Sequence, residues 1–305
     1  MRLRWAIPLT ILVAICVAAA VPMFLPSLVW TGPTVPVGAP APDARRGAYL
    51  AEIGGCTSCH TAKGGAPLGG GVVLKSPYGT FIGPNITPHP TAGIGRWSEA
   101  DFLRAMRDGL SPSGRHYYPA FPYTAYTLMT VRDLRDMWAH LRTVAPSANV
   151  PAAHSLDFPW SFRPGIGLWK LAWFSSGPYD ADRGRSAAWN RGAYLVEGPL
   201  HCAECHTRRN FAGALDRSAW MAGARAGPDG KPVPNITPDP SGIGKWSARD
   251  VAFFLQSGML PSGDATGGEM SRVIEHTAKL TDADLAAVVD YLKALPARAS
   301  ASSRR

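Results

Sequence analysis

Cys56-Thr57-Ser58-Cys59-His60 and Cys202-Ala203-Glu204-Cys205-His206 decide how this chain of 305 residues is read. Thiols three positions apart on a helix lie about one turn from each other, so both can face one flat ligand. A haem offers two vinyl groups, and each can form a thioether with one cysteine. The histidine that follows then lies under the iron and can bind it through a ring nitrogen. This spacing is the signature of c-type haem attachment. The rival uses of four thiols fit less well. Two disulfides would leave both trailing histidines without a role. A thioredoxin-like pair calls for a βαβ setting that the sequence lacks. A zinc site drawn from both motifs would not explain the repeat around them.

That repeat is dense. Arg46-Gly47-Ala48-Tyr49-Leu50 recurs as Arg191-Gly192-Ala193-Tyr194-Leu195, and Pro84-Asn85-Ile86-Thr87-Pro88 as Pro234-Asn235-Ile236-Thr237-Pro238. Gly93-Ile94-Gly95-Arg96-Trp97-Ser98 recurs as Gly242-Ile243-Gly244-Lys245-Trp246-Ser247. The order is kept and the offset stays between 145 and 151. The chain is a tandem duplication of a unit of about 100 residues, a normal domain size. The units are read as 44–146 and 188–297, with 1–31 before them as an N-terminal anchor or signal peptide and 147–187 between them as an aromatic linker.

Each unit reads as helical. A short helix precedes each cysteine pair, over Ala44 to Ile53 and Trp189 to Val196. Ser98 and Ser247 are placed as N-caps, with Asp101 and Asp250 at the third helical position. Gly109 and Gly258 are stops for the helices that follow. A final helix starts at Thr130 and at Thr281. Leu134, Met137, Trp138 and Leu141 then fall on one face, as do Leu285, Val288, Val289 and Leu292. Pro296 ends the last helix, and the Ala/Ser/Arg tail beyond it is read as disordered.

The four motif cysteines, Cys56, Cys59, Cys202 and Cys205, are the expected haem anchors, with His60 and His206 as iron ligands. A methionine as sixth ligand raises the potential and suits electron transfer. In the second unit Met270, in a glycine-rich stretch, is preferred to Met259 beside the Gly258 stop. In the first unit Met129 is the candidate, although it abuts the final helix. His116 and an iron without a protein ligand stay open as alternatives. Met106 and Met137 fall on helical faces and read as core. Asn85, Thr87 and Trp97, with Asn235, Thr237 and Trp246, either bind haem propionates or belong to a rigid loop at the haem edge. Each iron-binding histidine also needs an acceptor for its other ring N–H, and the sequence does not single one out.

From Trp5 to Pro42 there is no charged side chain. The strongly apolar part, Trp5 to Trp30, has the length of a membrane span of about 20 residues. Arg2 and Arg4 would stay on the cytoplasmic side. The expectation is a single-pass inner-membrane protein with its haem units on the periplasmic side. A cleaved signal peptide is the rival reading. Cys16 reads as a small apolar residue. The formal charge of +9 comes without any nucleic-acid module, so no nucleic-acid partner is expected. The stretch 147 to 188 carries Phe158, Trp160, Phe162, Trp169, Trp173 and Phe174. Arg163, Pro164 and Lys170 rule it out as a second span. It reads as a strap across both units, or as a docking segment.

With these residues in hand, the chain resembles the cytochrome c subunits of bacterial membrane-bound dehydrogenases, such as the alcohol dehydrogenase subunit. The resemblance rests on Arg-Gly-x-Tyr-Leu, Cys-x-x-Cys-His, Pro-Asn-Ile-Thr-Pro, Gly-Ile-Gly-x-Trp-Ser and Tyr118-Pro119-Ala120-Phe121-Pro122-Tyr123. Those subunits typically carry three haems, whereas this chain has two motifs, and some have methionine where Phe121 stands. The resemblance implies an all-α fold of class I cytochrome c domains; with the apolar N-terminus, the expectation is two such domains in tandem after a transmembrane helix. The resemblance also implies that the first and last helices of each unit cross near Gly47 and Gly192. The implied cofactor is haem c, bound twice. The implied partners are redox proteins: a dehydrogenase, a terminal oxidase or a soluble cytochrome. Electrons would pass from a dehydrogenase or quinol to a downstream acceptor, with no substrate chemistry on the chain. A di-haem enzyme, such as a peroxidase or thiosulfate dehydrogenase, is the competing function. A haem-based sensor is set aside for want of a signalling domain.

Overall fold

The computed structural model describes residues 3–227 and 230–301, with side chains from Thr10 onward. Helix α1 (Leu3–Phe24) opens the chain. The first copy holds α2 (Ala44–Ile53), α3 (Cys56–His60), strands β1 (Val73–Ser76) and β2 (Gly79–Ile82), then α4 (Glu99–Asp108), α5 (Tyr123–Tyr126) and α6 (Val131–Leu141). Strand β3 (Ser155–Leu156) and α7 (Ile166–Trp173) follow. The second copy holds α8 (Ala187–Glu197), α9 (Ala203–His206), α10 (Ala248–Ser257), α11 (Glu269–Thr277) and α12 (Asp282–Lys293).

The helix signals in the sequence act as local physics requires. Ser98 and Ser247 each accept from the backbone N–H three residues on, while Asp101 and Asp250 accept from the cap N–H in return. These are two capping boxes, and each satisfies donors that the first turn leaves free. Gly109 and Gly258 end α4 and α10 in the left-handed conformation, where glycine has no Cβ penalty. Thr130 and Thr281 cap α6 and α12. Helix α8 starts two residues earlier than its apolar pattern suggests, because Ser186 supplies the cap.

The first and last helices of each copy pack directly on each other. A Cβ on Gly47 would lie 1.8 Å from the Asp136 carbonyl oxygen, and one on Gly192 would lie 1.9 Å from that of Ala287. No other residue fits either crossing. Leu134, Met137, Trp138 and Leu141 are buried there, as are Leu285, Val288, Val289 and Leu292. The two copies share one apolar core. Polar bonds also cross between them. Tyr194 donates its hydroxyl to Asp133 at 2.5 Å, Tyr49 donates to Asp284 at 2.7 Å, and Thr124 donates to Glu204 at 2.6 Å.

Three expectations are corrected. The fold is not purely α-helical. Val73–Ser76 and Gly79–Ile82 form an antiparallel hairpin, and β3 adds to β2 as a third strand. The turn at Pro77-Tyr78 is held by Ser76, whose hydroxyl donates to the Gly79 carbonyl. The second correction concerns the membrane. Among the described residues no helix is long and apolar enough to cross one. The expected transmembrane helix and single-pass inner-membrane location are therefore not borne out, and the membrane as a partner through that helix is not supported. Helix α1 runs from Leu3 to Phe24. The helix then breaks at Leu25, and its outer end is occupied by protein: the Pro22 carbonyl accepts from His116 Nε2 at 2.8 Å, and Gly167 of α7 packs against Pro22. Third, the tail past Pro296 is ordered to Ala301, which donates its N–H to the Ala222 carbonyl; residues 302–305 lie outside the described residues, as do Met1 and Arg2.

The aromatic segment between the copies touches both. Trp160 lies edge-on to Tyr78 and the Arg163 guanidinium stacks over Tyr118, whereas Trp169 donates to the Ala212 carbonyl. Lys170 is fully buried, donates to the Asp108 and Gly109 carbonyls, and faces the rings of Trp30 and Tyr123.

Two measurements test this packing. Gly47→Ala should lower stability by about 3 kcal/mol in a denaturant titration, while Gly267→Ala, whose Cβ would meet nothing within 4 Å, should change it by less than about 0.5 kcal/mol. His116 is held down to a pKa of about 4, first by burial and then by the charge of Lys170. The unfolded imidazole takes a proton near pH 6.5, well before the folded one. Stability should therefore fall by about 2 kcal/mol from pH 6.5 to pH 4, and His116→Gln should flatten that slope.

Candidate functional site

Each cysteine motif starts on a left-handed residue, Gly55 at φ 65° and His201 at φ 42°. That conformation turns the chain sharply out of the preceding helix end and into the motif. Cys56 to His60 then form α3 in the first copy, and Ala203 to His206 form α9 in the second with Cys202 at its cap. The four thiols are free, as is Cys16. Burial pushes Cys56 and Cys202 up to about 12 and Cys205 to about 11, and raises Cys59. Such thiols stay protonated at neutral pH, so they are not the low-pKa pair of a dithiol redox centre. Among the described residues no cluster of three His, Cys, Asp or Glu side chains could hold a metal ion, which removes the shared zinc site.

The histidines are fixed identically. His60 Nδ1 donates to the Pro84 carbonyl at 2.7 Å, and His206 Nδ1 donates to the Pro234 carbonyl at 2.8 Å. Burial lowers both imidazole pKa values, so both rings are neutral. With the proton on Nδ1, the lone pair sits on Nε2, as an iron ligand requires. Free thiols one turn apart and a neutral, oriented imidazole beside them fit a covalently bound haem.

The proline carbonyls are the acceptors that the sequence left unassigned. The loops that carry them explain the repeated Pro-Asn-Ile-Thr-Pro. Asn85 Oδ1 accepts from the N–H and the hydroxyl of Thr87, and Asn85 Nδ2 donates to the Ser147 and Asn149 carbonyls. Asn235 makes the same bonds to Thr237 and donates to the Arg298 carbonyl. Asn85, Thr87, Asn235 and Thr237 are all buried. Of the two roles open for them, they take the rigid loop. Trp97 and Trp246 are half-buried against the core.

Another repeated device escaped the sequence comparison. Leu68 and Met221 both have positive φ, near 57°, and both are buried. Each donates its N–H to the threonine that follows a motif histidine, Thr61 or Thr207. Each carbonyl receives the N–H of Ile86 or Ile236. The shared feature is the backbone conformation, and the side chains differ, so only a lone unfavourable φ marks the position.

The two motifs face one another across the seam between the copies. His276 Nε2 and Ser58 Oγ are 2.8 Å apart, with Glu52 on the other side of that ring at 3.4 Å. A Cβ on Gly54, two residues before Cys56, would lie 3.2 Å from the carbonyl oxygen of Pro199, three residues before Cys202, and the Tyr126 ring lies edge-on to His201 with centroids 5.6 Å apart. Met270 lies in the first turn of α11, half-buried against the core. Met129 is 0 % exposed and immediately precedes the Thr130 cap. His116 is 2 % exposed and lies edge-on to Trp30.

Two copies of one haem-competent unit on a shared core define a duplicated c-type electron-transfer module. The cytochrome c family model matches residues 44–145. A diheme cytochrome c-type protein of Cereibacter sphaeroides is 44 % identical over 84 % of this chain and 86 % of its own length. The fructose dehydrogenase cytochrome subunit of Gluconobacter japonicus is 42 % identical over 88 % of this chain. The alcohol dehydrogenase (quinone) cytochrome c subunit of Gluconacetobacter polyoxogenes is 39 % identical over 85 %. The matches cover 56 % and 58 % of those two subunits, so the chain spans little more than half their length. The chain belongs to the di-haem c-type cytochromes and carries two covalently attached haem c groups. It is an electron-transfer protein.

Asn235→Ala removes four side-chain hydrogen bonds beside Pro234, two of them fully buried. The variant should lose about 2–3 kcal/mol in thermal unfolding. Asn235→Asp, which keeps the acceptor for Thr237, should lose less.

Proposed function

We propose that Cys56 and Cys59 hold the first haem and Cys202 and Cys205 the second, with His60 and His206 bound to iron through Nε2. The observation that carries this is the paired imidazole-to-proline bond, which leaves Nε2 free in both copies. Met270 is the sixth ligand of the second iron; its sulfur would raise that potential. Residues 44–146 and 188–297 are the two haem-binding units, joined by the aromatic linker 147–187. Haem supplies the one-electron chemistry; the chain sets orientation, burial and docking.

The chain relays electrons from a dehydrogenase to a downstream acceptor. The names of the relatives support a dehydrogenase as donor, since two of them are subunits of fructose and alcohol dehydrogenases. The two attachment motifs share one seam, which supports transfer between the haems inside one chain.

Acid-acetone extraction should leave the mass of two porphyrins on the chain. Alkylation of the unfolded, reduced protein should label one thiol, Cys16, and not five. The double variant Cys202→Ala, Cys205→Ala should retain one haem by pyridine haemochrome assay. Two haems lost together in that variant, or five labelled thiols in the parent, would refute the assignment. For the relay, a substrate-reduced dehydrogenase that co-purifies with the cytochrome should reduce it within a mixing experiment, while substrate alone should not.

A further inference from the structure

After α4 and after α10 the two copies build the same turn at a constant separation of 149 positions. Ser111 donates to the Arg115 carbonyl as Leu260 does to that of Asp264, and Tyr117 donates to Gly109 as Thr266 does to Gly258. Leu110 bridges His116 as Met259 bridges Ala265. Counted on from this turn, the place of Met270 is taken by Phe121.

Counted back from the last helix, the separation is 151. Thr130 and Thr281 are the equivalent caps. Met129 donates to the Tyr126 carbonyl as Leu280 donates to that of Thr277. Met129 therefore stands where the second copy has Leu280, and both are buried. The two extra residues of the second copy fall between these anchors, where α11 replaces the shorter α5. Met129 occupies an apolar position before a helix cap, where it packs by Gly198 in the seam between the copies.

His116 is held against the N-terminal helix: it gives its Nε2 proton to Pro22, packs edge-on to Trp30 and is 2 % exposed, with its Nδ1 buried and unpartnered. Phe121 itself has no donor atom. It sits among the rings of Tyr117, Tyr123 and Tyr126, 5.5, 6.3 and 5.8 Å away. All three phenols are kept neutral by burial, and a neutral phenol is a poor iron ligand. Tyr126 is buried in the core against which both Phe121 and Cys56 pack, so this aromatic cluster and the first attachment motif share one core.

We propose that the first haem iron has no sixth ligand from the protein and offers that position to a small uncharged diatomic molecule. The second iron is closed by Met270, and the inference rests on that assignment. One chain then holds one closed iron and one open iron, both linked to the same electron path.

The test uses the full-length holoprotein with carbon monoxide as probe. The reduced protein should take up one carbon monoxide per chain. The oxidised protein should show the red-edge methionine–iron band at the strength of one haem. Met129→Leu should change neither, because leucine already serves at the equivalent position. Phe121→Met should double the band and abolish carbon monoxide uptake. A parent protein that binds no carbon monoxide overturns the proposal, and so does a Met129→Leu variant that loses band intensity. Uptake of two equivalents with no methionine band strikes the Met270 assignment alone, because the first iron is open in that result too.

Discussion

An imidazole N–H held by a proline carbonyl is the interaction on which the arrangement depends. It fixes the tautomer, sets the plane of the ring and leaves one lone pair to bind metal. Neither His60 nor His206 could do this from a loose loop. Each proline carbonyl is held in turn by the asparagine after it, whose side chain ties the loop to its own threonine and to the chain segment beyond the last helix. That segment is 147–149 in the first copy and Arg298 in the second. The order of the C-terminal tail is thus part of how the second histidine is positioned.

Much of this was legible from the sequence. The motif cysteines and histidines, the caps Ser98, Ser247, Thr130 and Thr281, the stops at Gly109 and Gly258 and the apolar faces of the last helices follow from local rules, which act within one or two turns. The parts that were not legible depend on contacts distant in sequence or on backbone alone. Pro84 reaches His60 across 24 positions. Leu68 and Met221 share a conformation and no side-chain chemistry. The hairpin at Val73 needed the pairing of two short apolar runs about a Pro-Tyr turn, a weaker signal than helical periodicity. The long apolar N-terminus suggested a membrane span from composition, but its outer end is fastened to His116 and α7.

The duplication did not leave equivalent halves. The seam draws on residues of both copies. Asp133 receives Tyr194 as the equivalent Asp284 receives Tyr49, whereas Met129 lies by Gly198 and Tyr126 lies edge-on to His201. Sequence identity between the repeats therefore overstates their chemical likeness.

The bond from Tyr194 to Asp133 has a further consequence. It lies in the interior, in a continuous apolar seam, with more polar bridges at its margins. Cohesion between the halves comes from that buried surface and owes little to the covalent thread joining them. A protease cut in the exposed part of that thread, near Arg183 or Arg185, would give two fragments that still travel through a sizing column as a single particle and separate only in denaturant.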